Sequence, residues 1–264
     1  MTAPLCQIVD GFRNFGAVQA LAGVSIEVRR GDLLGIVGPN GSGKTTLFNC
    51  LTGRFSLNKG RVLWNGADIT RWPMDRIARA GLVRTFQQSM YFGSGTVREN
   101  VRMALDIART APRREGEVSI PSDLEGLLEF TNLGPLADSP SSVLSHGSLR
   151  QLGIALTLAV QPTLLLLDEP AAGLNAAESR GLGVLLRRVR ESGVTLVVVD
   201  HDMGFLMPLV DRLVVLSAGR KLTEGTPADV RADPMVIEAY LGTGFKHSAS
   251  RNEPATPTQE ESVG

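Results

Sequence analysis

The sequence predicts an α/β protein with a parallel sheet at its core, an antiparallel β layer flanking it and a separate helical segment. Three observations lead to this prediction. Apolar runs at residues 33–37, 164–167 and 194–199 are separated by helical patterns, which is typical of parallel strands joined by crossover helices. Residues 8–15 and 21–28 alternate apolar and polar side chains, as half-buried antiparallel strands do. From about residue 96 the apolar period becomes helical.

A glycine-rich loop follows the first apolar run. Its residues are Gly38, Pro39, Asn40, Gly41, Ser42, Gly43, Lys44, Thr45 and Thr46. Glycines let the backbone curl so that its N–H groups face a polyphosphate. The spacing G-x-x-x-x-G-K-T after a predicted strand therefore predicts a phosphate-binding loop, with Lys44 against the outer phosphates and the Thr45 hydroxyl on Mg2+. A helix beginning at Thr46 would direct its positive dipole end at the anion.

The chain between this loop and residue 142 shows one further strand and then helices. Turn signals bracket residues 61–64, which predicts a short strand of the antiparallel layer. Thr96 and Glu99 have the spacing of a capping box at the start of a helix. A polar loop follows, and Ser122 with Glu125 is predicted to cap the next helix.

Two carboxylates follow the four consecutive leucines of residues 164–167. Asp168 and Glu169 are therefore predicted to be a buried, oriented pair. Phosphoryl transfer to water needs one carboxylate near Mg2+ and a second group that orients the water, and the two adjacent side chains could divide these roles. His201 follows the next apolar strand, and Gln87 precedes the helical segment. Alone, each carries little signal, and His201 is equally consistent with a core imidazole bonded to a carbonyl.

The C-terminal third continues the same pattern. Asn175 and Glu178 are predicted to cap a helix, residues 213–223 to form a closing hairpin, and Thr226 to begin a short terminal helix. Residues 247–264 are rich in Ser, Pro, Thr and Glu, and we expect them to be disordered.

Composition narrows the classes of partner. The 264 residues include 27 basic side chains (Lys and Arg) and 27 acidic ones (Asp and Glu), so their charges balance. No overall electrostatic attraction to nucleic acid or to an anionic bilayer is therefore expected. The two cysteines, Cys6 and Cys50, lack metal-ligand spacing, and no signal peptide is evident, so we expect reduced thiols of the cytosol. No apolar stretch is long enough to span a membrane, so any membrane contact is expected to come through another chain.

The stretch at residues 144–148 completes an ordered set of motifs. It reads Leu-Ser-His-Gly-Ser before a helical pattern, which predicts a second anion site at a helix N-terminus. From residue 6 to about 244 the chain resembles the ATP-binding-cassette ATPases. The motifs stand in the family's order: the adenine-stacking aromatic Phe15, the phosphate loop, Gln87, residues 144–148, Asp168 with Glu169, a D-loop at residues 171–175, and His201.

The resemblance implies a P-loop NTPase core with a RecA-like parallel sheet, and a head-to-tail dimer that binds ATP between its subunits. It assigns Thr45, Gln87 and Asp168 to Mg2+, Glu169 to the attacking water and His201 to the leaving phosphate. The partner's ATP would be capped in trans by Ser145, Gly147 and Asn175. Three positions depart from the family pattern: His146 replaces a glycine, Ser148 a glutamine and Asn175 an aspartate.

Four segments resemble one branch of the family, the ATPases of branched-chain amino acid importers; they are residues 84–87, 169–175, 201–203 and 239–242. The Leu-Ser-His-Gly stretch also resembles urea or amide importers. The resemblance implies membrane permease subunits, a second cassette ATPase, identical or paralogous, and indirectly a periplasmic solute-binding protein. It places the chain at the cytoplasmic face of the inner membrane, as a peripheral subunit, with residues 88–142 docking the permease.

The expected organisation is one ATPase domain over residues 1–246. Residues 1–87 and 150–246 would form the nucleotide-binding core with its β layer, and residues 88–149 the helical subdomain. Two other functions remain open: a soluble cassette ATPase acting on nucleic acid or ribosomes, and a lipid or lipopolysaccharide export ATPase. The first commonly carries two cassettes or a long coiled coil, and this sequence shows neither.

Overall fold

The computed structural model describes residues 3–85, 91–109 and 118–241. The strands in these ranges are β1 (Cys6–Phe15), β2 (Val18–Val28), β3 (Leu33–Val37), β4 (Lys59–Trp64), β5 (Ala67–Asp68), β6 (Leu82–Arg84), β7 (Leu164–Asp168), β8 (Thr195–Val199), β9 (Arg212–Ser217) and β10 (Arg220–Gly225). The helices are α1 (Lys44–Leu51), α2 (Met74–Ala80), α3 (Val97–Arg109), α4 (Leu124–Phe130), α5 (His146–Leu158), α6 (Ala176–Glu191), α7 (Met203–Leu206), α8 (Pro227–Ala232) and α9 (Pro234–Leu241).

A six-stranded sheet forms the core, in the order β10-β9-β3-β8-β7-β6. The pairs β9/β3, β3/β8, β8/β7 and β7/β6 are parallel, and β10 closes the edge as an antiparallel hairpin with β9. Every residue of β3, β7 and β8 is buried, because helices cover one face of the sheet and the antiparallel layer with α1 the other. The predicted parallel core and closing hairpin are confirmed.

The antiparallel layer is a four-stranded sheet in the order β2-β1-β4-β5. Its inward-facing residues, including Ile8, Ile26 and Val62, pack in one apolar cluster with Ile36 of β3 and Phe48 of α1. Alternation along β1 and β2 places these side chains on one face. The layer therefore packs directly against the strand and helix that hold the phosphate loop, which confirms the predicted layer.

The helices α3, α4 and α5 pack on the other cluster, through residues that include Val101, Leu127 and Leu152. The predicted capping box at α3 is present: the Thr96 N–H donates to Glu99 Oε2 at 2.8 Å, and the Glu99 N–H donates to the Thr96 hydroxyl at 3.1 Å. In the described ranges, no helix is long and apolar enough to cross a bilayer.

Two predicted helix starts were wrong. Helix α1 begins at Lys44 rather than Thr46, because the Leu47 N–H already donates to the Gly43 carbonyl oxygen at 2.8 Å. Helix α4 is capped by Asp123 rather than Ser122, since the Asp123 carboxylate accepts the Gly126 N–H at 2.8 Å. Gln87 and the tail at residues 247–264 lie outside the described residues.

Candidate nucleotide-binding site

The phosphate loop leaves the carboxyl end of β3 and enters α1. Gly38, Gly41 and Gly43 all have positive φ angles, of 153°, 78° and 104°. A Cβ on Gly38 would lie 2.2 Å from the Leu216 carbonyl oxygen, and one on Gly43 would lie 2.5 Å from the Ala20 carbonyl oxygen. Only glycine fits these two positions, because both the backbone angle and the neighbouring backbone exclude a side chain.

Lys44 folds back over the loop. Its Nζ donates to the carbonyl oxygens of Gly38 at 2.6 Å and Pro39 at 3.0 Å. Burial lowers the pKa of Lys44, and the carboxylates of Glu169 and Asp168 oppose that shift. The ammonium is therefore held at the mouth of the loop, in the field of both carboxylates, where a polyphosphate would meet it.

The turn between β9 and β10 supports the loop from behind. The Gly219 N–H donates to the Ser42 carbonyl oxygen at 3.1 Å, and the Gly219 carbonyl oxygen accepts the Ala22 N–H at 2.8 Å. One residue thus connects the phosphate loop to the antiparallel layer. A shift of that layer would be transmitted to the loop backbone.

Asp168 ends β7 with its side chain almost fully buried, and Arg84 at the end of β6 forms an ion pair with it. The same guanidinium donates to Asn49 Oδ1 of α1 at 2.6 Å. Asp168 Oδ1 is buried and has no hydrogen-bond partner among the described residues. The sequence did not single out Arg84 for this role, although its segment was recognised as a family feature.

Glu169 takes a left-handed backbone conformation, with φ of 45°. This conformation is uncommon for a residue with a side chain and is typical of strained positions at functional sites. His201 lies nearby: its Nδ1 is 3.8 Å from Glu169 Oε1 and 3.7 Å from Asp200 Oδ1. These distances exceed a hydrogen bond, and the imidazole is 63% exposed, which excludes the alternative of a buried core histidine.

Asp200 is a residue that sequence reasoning missed. Its side chain is fully buried and accepts the N–H groups of Ala171 at 3.1 Å and Asp202 at 3.0 Å. It therefore fastens the D-loop at residues 171–175 to the turn that carries His201. The sequence contained an indication of this role, since Asp200 follows an apolar strand in the same way that Asp168 does.

Phe15, the predicted adenine-stacking residue, ends β1 with 39% of its surface exposed. Phe55 contacts it edge-on, with ring centroids 5.2 Å apart, and the Arg13 guanidinium lies 4.6 Å from its ring centre. These two neighbours hold the ring while leaving one part of it open to solvent. The ring can therefore accept a planar base.

Ser145 caps α5, where its hydroxyl accepts the Ser148 N–H at 3.2 Å. The predicted capping box of α6 is confirmed: Asn175 Oδ1 accepts the Glu178 N–H at 3.0 Å, and Glu178 Oε2 accepts the Asn175 N–H at 3.1 Å. Glu178 also reaches across to α5, where Oε1 accepts the Gly147 N–H at 3.1 Å.

The structure brings together part of the predicted site. Lys44, Asp168 and Glu169 share one charged neighbourhood, and His201 adjoins Glu169. Ser145, Gly147 and Asn175 form a second group around Glu178. No hydrogen bond or ion pair within the described part of the chain joins the second group to residues 38–46.

Comparison with known sequences gives a match to the family described as ABC transporter over residues 21–172, and to the branched-chain amino acid ATP-binding cassette transporter family over residues 220–246. The chain is 36% identical to the high-affinity branched-chain amino acid transport ATP-binding protein BraF of Pseudomonas aeruginosa, covering 92% of this chain and 99% of BraF. It is 37% identical to LivG of Escherichia coli K12, a protein with the same description, at the same coverage.

Comparison with solved structures leads to the same family. The ADP conformation of MJ1267, an ATP-binding cassette of an ABC transporter, has a TM-score of 0.81 at 30% identity, covering 91% of this chain and all of that one. A nucleotide-free cassette from an ABC transporter has a TM-score of 0.78 at 30% identity, covering 90% and 99%. Sequence and structure together show that this protein belongs to the ABC transporter family, as an ATP-binding cassette ATPase.

Proposed function

We propose that the chain hydrolyses ATP with Mg2+ and so drives an importer for branched-chain amino acids, or for related amides or urea, whose membrane subunits are separate chains. One observation carries the ATPase part: Lys44 lies at the phosphate loop in the field of Asp168 and Glu169. The relatives BraF and LivG, described as branched-chain amino acid transport proteins, support the solute class.

The residues fit a magnesium ion. Asp168 Oδ1 is a buried carboxylate oxygen with no partner among the described residues, and Thr45 is an exposed hydroxyl residue in the first turn of α1. Mg2+ prefers such oxygen ligands and is usually held by one or two carboxylates together with substrate phosphates. Thr45 and Asp168 would hold it, with Gln87 as the third predicted ligand. The bound ion would neutralise charge on the phosphates.

Glu169 is the proposed base that orients and deprotonates the attacking water. Its backbone is left-handed, and its side chain stays 35% exposed, where water reaches the carboxylate. His201, adjacent to Glu169 and largely exposed, would contact the leaving phosphate. The nucleotide itself would be held by Phe15 on the base and by residues 38–46 on the phosphates.

A second cassette ATPase completes the site in our proposal. No hydrogen bond among the described residues joins Ser145, Gly147 and Asn175 to the phosphate loop, and we assign them to a nucleotide on another subunit. The partner is a second copy or a paralogue. The fold supports this arrangement by placing the donors at the N-termini of α5 and α6, which favour an anion.

The membrane subunit is proposed to dock on a groove of about 740 Å3 beside α3. Phe92, Met103 and Ile107 are exposed apolar side chains in it, and Glu99, Arg102 and Asp106 add charges. An apolar floor beside mixed charges suits an amphipathic cytoplasmic segment of a permease. The groove belongs to the proposed helical subdomain, residues 88–149, and docking there would hold the chain at the cytoplasmic face of the inner membrane.

Replacing Glu169 with glutamine tests the catalytic assignment. The variant keeps the size of the side chain and should bind ATP as the parent does, while turnover falls by about 100-fold or more, because general-base catalysis contributes about 10²–10⁴. Glu191→Gln, at the exposed end of α6, is the control with the same charge change. Hydrolysis retained in Glu169→Gln would overturn the assigned role.

Affinity purification from detergent-solubilised native membranes tests the transport assignment. A permease, a second cassette ATPase and a periplasmic binding protein should copurify with the chain. Ile107→Glu should release the permease, whereas Val184→Glu, which changes an exposed apolar side chain of α6, should not. Recovery of ribosomal or DNA-bound proteins without a permease would refute the importer and support the soluble alternative. A lipid-export permease would support the third function.

A further inference from the structure

The carboxylate of Glu178 occupies the N-terminus of a neighbouring helix. Its Oε1 accepts the Gly147 N–H in the first turn of α5 at 3.1 Å, and its Oε2 accepts the Asn175 N–H at 3.1 Å. The Ser145 hydroxyl donates to Ser148 Oγ at 3.4 Å and also lies close enough to this carboxylate to lower its pKa. One side chain of α6 therefore engages donors at the starts of two helices.

The glycine at position 147 makes this contact possible. A Cβ there would lie 2.8 Å from Glu178 Cγ and 2.9 Å from Oε1. The Glu178 side chain therefore fills the space directly over the Gly147 backbone. Any other group that binds this backbone from the same side must displace it.

Hydrogen bonds also keep the carboxylate charged. The Asn175 N–H, the Gly147 N–H and the Ser145 hydroxyl, in decreasing order of effect, lower the pKa of Glu178. His146, the residue that replaces a glycine of the family pattern, lowers this pKa further through its charge. At neutral pH the first turn of α5 thus holds a full negative charge that the chain itself provides.

Two of these donors are those that our proposed function gives to the partner's ATP. The Gly147 N–H has one hydrogen to donate, which Glu178 Oε1 already accepts, and a charged acceptor takes it more strongly than a neutral one. A phosphate arriving at α5 would find the Gly147 N–H engaged by Glu178 and would be repelled by the like charge. The carboxylate and the phosphate therefore compete for one place.

We propose that Glu178 is an intramolecular competitor of the partner's ATP, which leaves the donors of α5 before the nucleotide-bound dimer can close. This inference rests on the proposed function, because it needs the trans role of Ser145 and Gly147. The competitor belongs to the helix that the D-loop residue Asn175 caps. Release of the carboxylate from Gly147 therefore removes one of the contacts that join α5 to the start of α6 as the dimer forms.

The test is ATP-dependent dimerisation. The parent is the Glu169→Gln chain, in which slow hydrolysis keeps ATP bound, and Glu178→Gln is added to it. Glutamine keeps the acceptor that the capping box needs but removes the charge. Sedimentation velocity with Mg2+ and ATP gives the dissociation constant of the dimer. Binding of a fluorescent ATP analogue to dilute monomer gives the affinity of one subunit for its own nucleotide, and circular dichroism verifies that each variant is folded. Glu191→Gln, on the same helix, is the charge-matched control.

We expect Glu178→Gln to tighten the ATP-bound dimer by about tenfold or more, with two sites contributing, and to leave monomer binding unchanged. Glu191→Gln should match the parent. A parent that dimerises with ATP while Glu178→Gln dimerises equally or more weakly overturns the inference and leaves the proposed function intact. If neither chain dimerises with ATP, a second copy is not the partner and the inference fails for identical subunits, whereas the proposed function stands with a paralogue as partner. If ATP dimerises the Glu178→Gln chain but not its parent, the result supports both the inference and the proposed function.

Discussion

Replacing Arg84 with methionine is expected to destabilise the nucleotide-free protein by about 3–5 kcal/mol, the cost of breaking a buried ion pair from one side. The expectation follows from the difference in burial: the side chain of Asp168 is 1% exposed and that of Arg84 is 14% exposed. Methionine has a similar length but leaves the carboxylate without a countercharge. It also leaves Asn49 Oδ1 without its donor.

A double-mutant cycle with Asp168→Asn isolates the pair. Asp168→Asn alone should cost less, about 1–3 kcal/mol, because Arg84 is nearer to water and keeps its bond to Asn49. The double variant should be more stable than the sum of the single effects predicts, by about 1–3 kcal/mol, since neither buried charge then remains.

Urea unfolding at pH 7 with EDTA and without nucleotide measures these values, compared at unchanged m. Arg109→Met is the control, because its pair with Asp106 is exposed and should change stability by only about 0.5 kcal/mol. An Arg84→Met variant that loses less than about 1 kcal/mol, or single effects that add fully, would refute the view that Arg84 compensates the buried Asp168.

Two further changes test the site and the C-terminal region. Phe15→Ala should lower the affinity for ATP about 5- to 150-fold, because it removes a stacking interaction worth about 1–3 kcal/mol. The affinity for inorganic triphosphate should stay unchanged, because this ligand would contact only the phosphate loop. Calorimetry measures both affinities. Equal loss for both ligands would show that Phe15 acts through the loop instead. The Thr226 hydroxyl and then its N–H lower the pKa of Asp229 below its ordinary value of 3.8, so Asp229 stabilises the fold above that pH. Asp229→Asn should therefore reduce Tm at pH 7, and the difference should vanish as pH falls through the lowered pKa; a difference that persists at lower pH would contradict this.

The parallel core, the antiparallel layer and the phosphate loop could be predicted because each depends on local or periodic patterns. Four leucines in a row indicate a strand covered on both faces, and glycines at fixed spacing allow the positive φ angles that a phosphate loop needs. The two wrong helix starts were local errors, since the choice between Ser122 and Asp123 depends on a cap geometry that neighbouring polar residues share.

The remaining parts of the site depend on pairs that are distant in the chain. Arg84 meets Asp168 only because β6 lies beside β7, and Glu178 meets Gly147 only because the N-termini of α5 and α6 are adjacent. Asp200 likewise fastens the D-loop because β7 and β8 are neighbours. The periodicity of apolar residues along the chain does not predict such contacts.

By itself, the sequence determined the fold class, the phosphate loop and the identity of the two carboxylates, because these follow from residue type and spacing along the chain. Only the tertiary structure decided which cation compensates Asp168 and which carboxylate holds the donors of α5. The physical reason is that a side chain's charge is fixed by its chemistry, whereas its partner is fixed by the packing of elements that the chain brings together from afar.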